Sequence, residues 1–527
     1  MAKFNNQQKQ SLFFGTCDAI TYIFISLTIL LMNISLLSPV SKKEALLHTF
    51  IGLCLAIIFK MVLLVYNQNW RKFPVAGVVR LTVADLLACL AHYIFEYLVN
   101  IKHLPIIHLF VITTITILVE LGLRIAYNTK YNKQINGNKI FLSSPTMYEE
   151  ERKYIDEAFD RNWVAPLGFN CDGFESEMVD YLNEDLHAFA TVSGTGAIHL
   201  AMKLAGVKPQ DHVLCSDLTF AATVNPVTYE GGIPVFIDSE YETWNMSPEA
   251  LEEGFKKYPD AKVVVLVHLY GTPAKMDEIL KICEKHNAIL VEDAAEALGA
   301  SYKGHKCGSF GEYNILSFNG NKIITTSGGG MLLTKNKEDR QKAVFLGTQA
   351  RENAIWYEHE EIGNNYRMSN VVAGIGRGQL HHLENHKDLK TAIYNIYKEE
   401  FKGLPVTVNP YLKDTSPNHW LSCLLIDEEY ICKHSRSETT YEYTHEKGKT
   451  CPDEIYDKLK ENNIETRPIW KPMHMQPVFK NNDFIKNPTT DKVVSEDIFD
   501  RGICLPSDIK MIKENQMKII NIIKGLF

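Results

Sequence analysis

Ser317-Phe-Asn-Gly-Asn-Lys322-Ile-Ile-Thr-Thr-Ser-Gly-Gly-Gly330 sets a lysine between small polar residues and a glycine string. Such neighbours leave the amine bare at the floor of a cleft. Upstream, Val291-Glu-Asp293-Ala-Ala-Glu296-Ala-Leu-Gly299 ends a hydrophobic strand with carboxylates. An amine and a carboxylate converging on one flat ring suit pyridoxal phosphate. The lysine bonds its aldehyde and the acid keeps its pyridine nitrogen protonated. These two stretches predict an aminotransferase on an α/β sheet, with the chemistry at the strand ends.

The flanking sequence has the alternation such a sheet needs. Strand-like runs at 187–192, 212–216, 234–237, 262–268 and 288–292 are separated by helical runs such as 196–205 and 275–286. The pattern predicts a mostly parallel sheet between helices. Thr191-Val-Ser193-Gly194-Thr195-Gly196-Ala197 falls where a strand gives way to a helix. Bare amides, a hydroxyl and a helix N-terminus there make a phosphate cradle. A plain helix cap accounts for Ser193 or Thr195 equally well. Ser317 offers a further phosphate hydroxyl. Asp293 closes its strand and would pair with the pyridine nitrogen, the other reading being a helix-capping acid. Glu296, one turn on, faces the same way, towards a ring hydroxyl or the substrate. Glu292 points to the opposite side and reads as structural. In Asp217-Leu-Thr219-Phe220-Ala-Ala-Thr223, Phe220 would stack on the cofactor ring or sit in ordinary core.

Charge and cysteine usage narrow the class. The net charge of −8 divides unevenly: residues 1–130 carry eleven Lys/Arg against five Asp/Glu, and the remaining 397 carry 44 against 58. An acidic catalytic body argues against a nucleic-acid binder. The eleven cysteines are scattered without a Cys-x-x-Cys pair, as expected of reduced thiols, and no metal ligand set of zinc spacing is evident.

The first 130 residues hold four apolar segments, 12–37, 45–66, 75–99 and 105–127, each near the ~20 residues that span a bilayer. They predict a transmembrane four-helix module, not a cleaved signal peptide. Arg71, Lys72, Arg80, Lys130 and Lys133 favour both ends in the cytoplasm, against Lys42 and Lys43 in the first loop. The protein is thus expected in the inner (cytoplasmic) membrane, multi-pass, with its catalytic body in the cytoplasm. Asp18, Lys60, Asp85, His92, Glu96, Glu120 and Arg124 fall inside these segments. They suggest either a polar pathway or interhelical pairing. The expected layout is the membrane module at 1–130, a polar linker at 131–145, a large cofactor-binding α/β domain at 146–385 and a smaller C-terminal α+β domain at 386–527. A long helix over 370–389 should precede the last domain, and 433–450 reads as an exposed irregular loop.

From about residue 139 onward the chain resembles the DegT/DnrJ-type nucleotide-sugar aminotransferases. The matching blocks are Asn162-Trp-Val-Ala-Pro-Leu-Gly168, Ser193-Gly-Thr-Gly-Ala-Ile-His-Leu200, Asp217–Thr223, Glu292–Gly299, Ser317–Lys322, Gly363-Asn-Asn-Tyr-Arg-Met-Ser-Asn370 and Arg467-Pro-Ile-Trp-Lys-Pro-Met-His474. The resemblance implies a type I fold, its sheet of the seven-stranded type, and a homodimer with shared active sites. It implies that Lys322 bonds the cofactor, Asp293 meets the pyridine nitrogen, Phe220 lies on the ring, and Thr195, Gly196 and Ser317 hold the phosphate. Asn365 and Arg367 would reach in from the second subunit. Trp163, Arg467, Trp470, Lys471 and His474 would lie near the sugar nucleotide. Position 296 is often Gln or His in that family, so Glu296 is a departure, as are Gly196 and Asn364.

Trp244-Asn-Met-Ser-Pro248, Val267-His-Leu-Tyr-Gly271 and Trp470–His474 are most similar to the subgroup that aminates UDP-linked 4-keto-6-deoxy-N-acetylglucosamine, towards bacillosamine-type sugars. Tyr66-Asn-Gln-Asn-Trp70-Arg71, Leu104-Pro105 and Glu120-Leu-Gly-Leu-Arg124 resemble the membrane anchor of sugar-nucleotide 4,6-dehydratases, which implies such a dehydratase as a partner at the membrane. The expected reaction moves an amino group from L-glutamate to C4 of the UDP-linked keto sugar. The alternatives are a GDP-linked keto sugar, or a membrane scaffold that keeps the fold without catalysis.

Overall fold

The computed structural model describes residues 6–31, 41–67, 75–99, 101, 104, 106–135 and 139–527. The chain divides into two compact units, Met1–Asn138 and Lys139–Phe527.

The first unit holds four helices, α1 (Asn6–Leu31), α2 (Lys42–Val62), α3 (Val75–Val99) and α4 (Ile106–Ile135). Ser41 starts α2 with a capping box, its hydroxyl accepting from the Glu44 amide while the Glu44 carboxylate accepts from the Ser41 amide. Three stretches, Lys43–Val62, Gly77–Val99 and Ile106–Asn128, are long and apolar enough to cross a membrane, whereas the apolar part of α1, Phe13–Ile29, is shorter. Four helices are present, but length and composition support three spans. The helix α4 continues to Ile135, so the first part of the segment expected as linker is helical. Trp70, Arg71, Lys72, Pro105 and residues 136–138 lie outside the described residues.

The buried charges of this unit meet across helices. The Lys60 ammonium lies 3.0 Å from Asp85, 2.5 Å from Glu120 and 3.7 Å from Asp18. Arg124 grips Asp18 through two hydrogen bonds of 2.9 and 2.8 Å. Interhelical pairing, the plainer of the two expectations, accounts for these five side chains. His48, His92 and Glu96 form a separate buried cluster.

The second unit is built on an eight-stranded mixed sheet. Its strands are β1 (His187–Thr191), β2 (His212–Ser216), β3 (Ile233–Ile237), β4 (Val263–Val267), β5 (Ile289–Asp293), β6 (Tyr313–Ser317), β7 (Gly330–Thr334) and, after three strands of a second sheet, β11 (Phe484–Ile485). Their order is β1-β7-β6-β5-β4-β2-β3-β11, and β7 alone runs antiparallel to its neighbours. The run Val-Val-Val-Leu-Val of β4 is wholly buried, as a central strand covered on both faces must be. Residues alternate between the two cores: Val213, Cys215 and Val265 join one, Leu214, Val264 and Leu266 the other. The eighth strand was not expected. It comes from the C-terminal portion, where Phe484 and Ile485 extend the edge beside Phe236 and Ile237.

α6 (Phe169–Leu182) and α7 (Gly194–Leu204) lie against this sheet, and α8 (Asn370–Leu380) packs on α6 and on α5 (Glu150–Asp160). The long helix expected over 370–389 is broken: α8 ends at Leu380 and α9 (Leu383–Glu400) starts after a turn at His381 and His382. There the His382 ring stacks on Tyr148 at 3.6 Å. A four-stranded antiparallel sheet follows, ordered β8 (Val406–Val408), β9 (Ser422–Ile426), β12 (Gly502–Leu505), β10 (Arg467–Pro468). Its core includes Tyr394 and Tyr397 of α9 against Leu424 and Ile503. Within the segment expected as a loop, His434–Arg436 pairs with Tyr441–Tyr443 as an antiparallel ribbon.

Candidate active site

The carboxyl ends of β1, β2, β5 and β6 deliver their following residues to one cavity of about 300 Å³, which Lys322, Asp293, Glu296, Thr195, Ser317 and Phe220 all line. Asp293 is the last residue of β5 and is almost fully buried. One carboxylate oxygen accepts a hydrogen bond from the Thr223 hydroxyl at 2.8 Å, the other from the Ala295 amide at 3.0 Å. Burial pushes its carboxyl above the usual range, opposed by those two donors and by the nearby Lys322. The side chain is thus fixed in direction and prepared to share a proton with a basic partner.

Lys322 Nζ stands 3.6 Å from Glu296 Oε1 and 4.1 Å from the centre of the Trp420 ring. Glu296 is held by the Tyr270 amide, which donates to Oε2 at 2.7 Å. That amide is turned inward by a left-handed corner, Tyr270 at φ 52° and Gly271 at φ 91°. A Cβ on Gly271 would stand 1.8 Å from Asn418 Oδ1. Asn418 in turn donates to the Glu296 and Leu298 carbonyls at 2.9 Å each and accepts from the Trp420 amide. Burial raises the Glu296 carboxyl, with Lys322 and the Tyr270 amide opposing.

At the other end, Ser193 caps α7 and accepts from the Gly196 amide at 3.0 Å. The Gly196 amide is taken by that cap, and Gly194 and Thr195 line the cavity. Amides in the first turn of a helix have no intrahelical partner and suit an anion. Close packing sets their position: a Cβ on Gly330 would come within 2.3 Å of the Gly194 nitrogen. Phe220 is 52% exposed, which removes the core reading, and its ring lies 5.2 Å from that of Trp470.

Arg467 and Trp470 line the cavity mouth, and the buried Trp470 Nε1 has no hydrogen-bond partner among the described residues. Trp163, Lys471 and His474 do not line the cavity, and Asn365 and Arg367, expected to serve the neighbouring subunit's site, do not line it in their own chain. The Trp163 indole is half exposed and donates to the Leu167 carbonyl. Asn365 pairs with Thr348 and Arg367 bridges to Thr191, its guanidinium 5.6 Å above the Phe189 ring. Lys471 contributes its carbonyl to Gln476. His474 is fully engaged, its ring at 2.7 Å from Asp217 and 2.9 Å from Glu496. Burial alone would lower the imidazole, but those carboxylates outweigh it and raise it to about 9. His474 is thereby a strut that fastens its turn to the end of β2. Thr223, Trp420 and Asn418 were not singled out from sequence. Thr223 stood within a quoted block, but nothing in the runs around Asn418 and Trp420 marks them as neighbours of Lys322.

The donor set fits pyridoxal phosphate. A helix N-terminus and the Ser317 hydroxyl answer the phosphate, the Phe220 ring offers a flat face, a fixed buried carboxylate suits the pyridine nitrogen, and Lys322 supplies the amine. The fold and this set of groups define an aminotransferase dependent on that cofactor. Residues 145–524 match the DegT/DnrJ/EryC1/StrS aminotransferase family, and the chain belongs to it. It is 44% identical over 394 residues to EpsN of Bacillus subtilis (strain 168), named as a pyridoxal phosphate-dependent aminotransferase, covering 74% of this chain and 96% of that one. It is 33% identical over 383 residues to the GDP-perosamine synthase of Escherichia coli O157:H7, covering 73% and 97%. Among solved structures, a DegT DnrJ EryC1 StrS aminotransferase from Brucella abortus superposes with a TM-score of 0.63 at 24% identity, covering 72% of this chain and 95% of that one. The protein is a sugar-nucleotide aminotransferase.

Proposed function

We propose that the protein transfers the amino group of L-glutamate to C4 of a UDP-linked 4-keto-6-deoxy-N-acetylhexosamine at the inner face of the cytoplasmic membrane. The observation that carries the chemistry is the convergence of Lys322, Asp293 and Glu296 on one cavity whose mouth holds Arg467 and Trp470. Bound pyridoxal phosphate supplies the electron sink that makes the carbon next to nitrogen acidic. Asp293, fixed by Thr223 and Ala295, holds a proton at the ring nitrogen. Gly194, Thr195 and Ser317 bind the phosphate and Phe220 orients the ring. Lys322 Nζ, freed by the donor's amine, takes the proton from the donor's α-carbon and in the second half-reaction delivers one to C4 of the sugar. Glu296, 3.6 Å away, keeps that ammonium near the reacting carbon between transfers. Arg467 suits a diphosphate and Trp470 a base or sugar face.

The acting unit is a homodimer in which Asn365 and Arg367 serve the neighbouring site. The exposed run beside them supports this reading: Ile355 is 97% and Ile362 85% exposed, with Trp356 and Tyr357 also open. The three long apolar helices support membrane anchoring; the proposed anchor also has α1 cross, which leaves the catalytic body facing the cytoplasm. Such an anchor keeps the enzyme beside the dehydratase that makes the 4-keto substrate, for surface glycan synthesis. A GDP-linked keto sugar is the second reading, favoured by the likeness to GDP-perosamine synthase. Competition between the two keto-sugar nucleotides separates them: the UDP form should show the higher kcat/KM, and preference for the GDP form rejects the proposed nucleotide.

A further inference from the structure

The cluster of His48, His92 and Glu96 in the helical unit is left unexplained by aminotransferase chemistry. His92 and Glu96 stand four residues apart on α3 and so share one helix face; His48 projects from α2. All three side chains are at most 2% exposed. His48 Nδ1 lies 3.0 Å from Glu96 Oε1, His92 Nε2 lies 3.3 Å from the same oxygen, and the two ring nitrogens are 3.4 Å apart. Three electron-pair donors from two helices therefore form a nearly equilateral triangle.

A tetrahedral ion with bonds of about 2.0–2.1 Å holds its ligand atoms about 3.3–3.4 Å apart. Two of the observed edges, 3.3 and 3.4 Å, match that separation, and the third, at 3.0 Å, is somewhat shorter. Two imidazole nitrogens and one carboxylate oxygen are ligands that zinc accepts, leaving its fourth position to water or another group. The other Glu96 oxygen accepts from the Leu104 amide at 3.0 Å, an outer contact of the kind that fixes a ligating carboxylate. We propose that His48, His92 and Glu96 form a binding site for a divalent transition metal, zinc by its ligand chemistry, that ties α2 to α3. The hydrogen-bonded triangle without a metal is the competing account.

The full-length protein, purified in detergent without chelator and loaded with zinc, is washed and its metal content measured. About one zinc per chain is expected, falling at least tenfold in His48→Ala and in His92→Ala, with helical circular dichroism reporting whether each variant folds. Zinc retained by both folded variants is held elsewhere and overturns the proposal. Cobalt(II) titration of the unaltered protein needs no variant. Visible bands of a four-coordinate site at one equivalent support the proposal, and no bands together with no retained zinc overturn it.

Discussion

Lys322 is the residue on which the account turns. Lys322→Ala removes the amine that bonds the cofactor and the group that moves the proton, so turnover should fall by at least ~10³-fold, read as amino-sugar formation, with the fold unchanged in circular dichroism. Asp293→Asn keeps the shape and the Thr223 contact but loses the charge that holds a proton on the ring nitrogen. A drop of roughly 10²-fold or more in kcat is expected, with little change in melting temperature. At His474 the effect is on stability. Its imidazole is raised from 6.5 to about 9, so its contribution is full below pH 6.5 and is lost as pH rises through about 9. His474→Gln should flatten the fall of unfolding free energy across that window, by on the order of 1–2 kcal/mol once solvent screening of the partly exposed ring is allowed for, read from denaturant melts at several pH values. Lys322 and Asp293 were legible because their neighbours permit little else: a glycine string and a strand end. The turn of His474 towards Asp217 and Glu496 was not legible, because a block locates a segment without giving the direction of a side chain. That Ser193 caps α7 through the Gly196 amide was not legible, because which amide a cap takes depends on the backbone.

The strands hold their places through close backbone approaches that single glycines allow. Gly330 of β7 packs against the first turn of α7, where a Cβ would meet the Gly194 nitrogen at 2.3 Å and the Ser193 carbonyl carbon at 2.4 Å. Gly330→Ala should push the phosphate-binding turn outward and weaken cofactor affinity about tenfold or more, measured by titrating the stripped enzyme with pyridoxal phosphate and following its visible absorption. Unchanged affinity would separate β7 from the cradle. Of the elements, β2, β4 and β5 were readable because buried parallel strands are continuous apolar runs. The break between α8 and α9 was not, since His381 and His382 carry no helix-stopping signal and the turn is fixed by Tyr148 from a distant part of the chain. Nor was the ribbon at 434–443, whose tyrosines reach Asp457 at 2.6 and 3.2 Å through contacts that a polar run does not announce.

At the scale of the molecule, the chain joins an apolar helical unit to a catalytic unit with its own cores. The isolated 139–527 segment should therefore fold and, given substrate in solution, keep kcat within a few-fold of the whole protein, the membrane unit acting on location and not on chemistry. Loss of its activity would make the helices part of the enzyme. This division was visible in hydropathy and charge, whereas the number of spans was less so, because the apolar part of α1 falls short of the length of its neighbours. The most direct measurement is turnover by the detergent-purified protein given pyridoxal phosphate, L-glutamate and UDP-4-keto-6-deoxy-N-acetylglucosamine, with Lys322→Ala in parallel. The account predicts amino sugar from the parent alone. Amino sugar from both proteins, or no product together with no glutamate-dependent change in the parent's visible absorption, would contradict it.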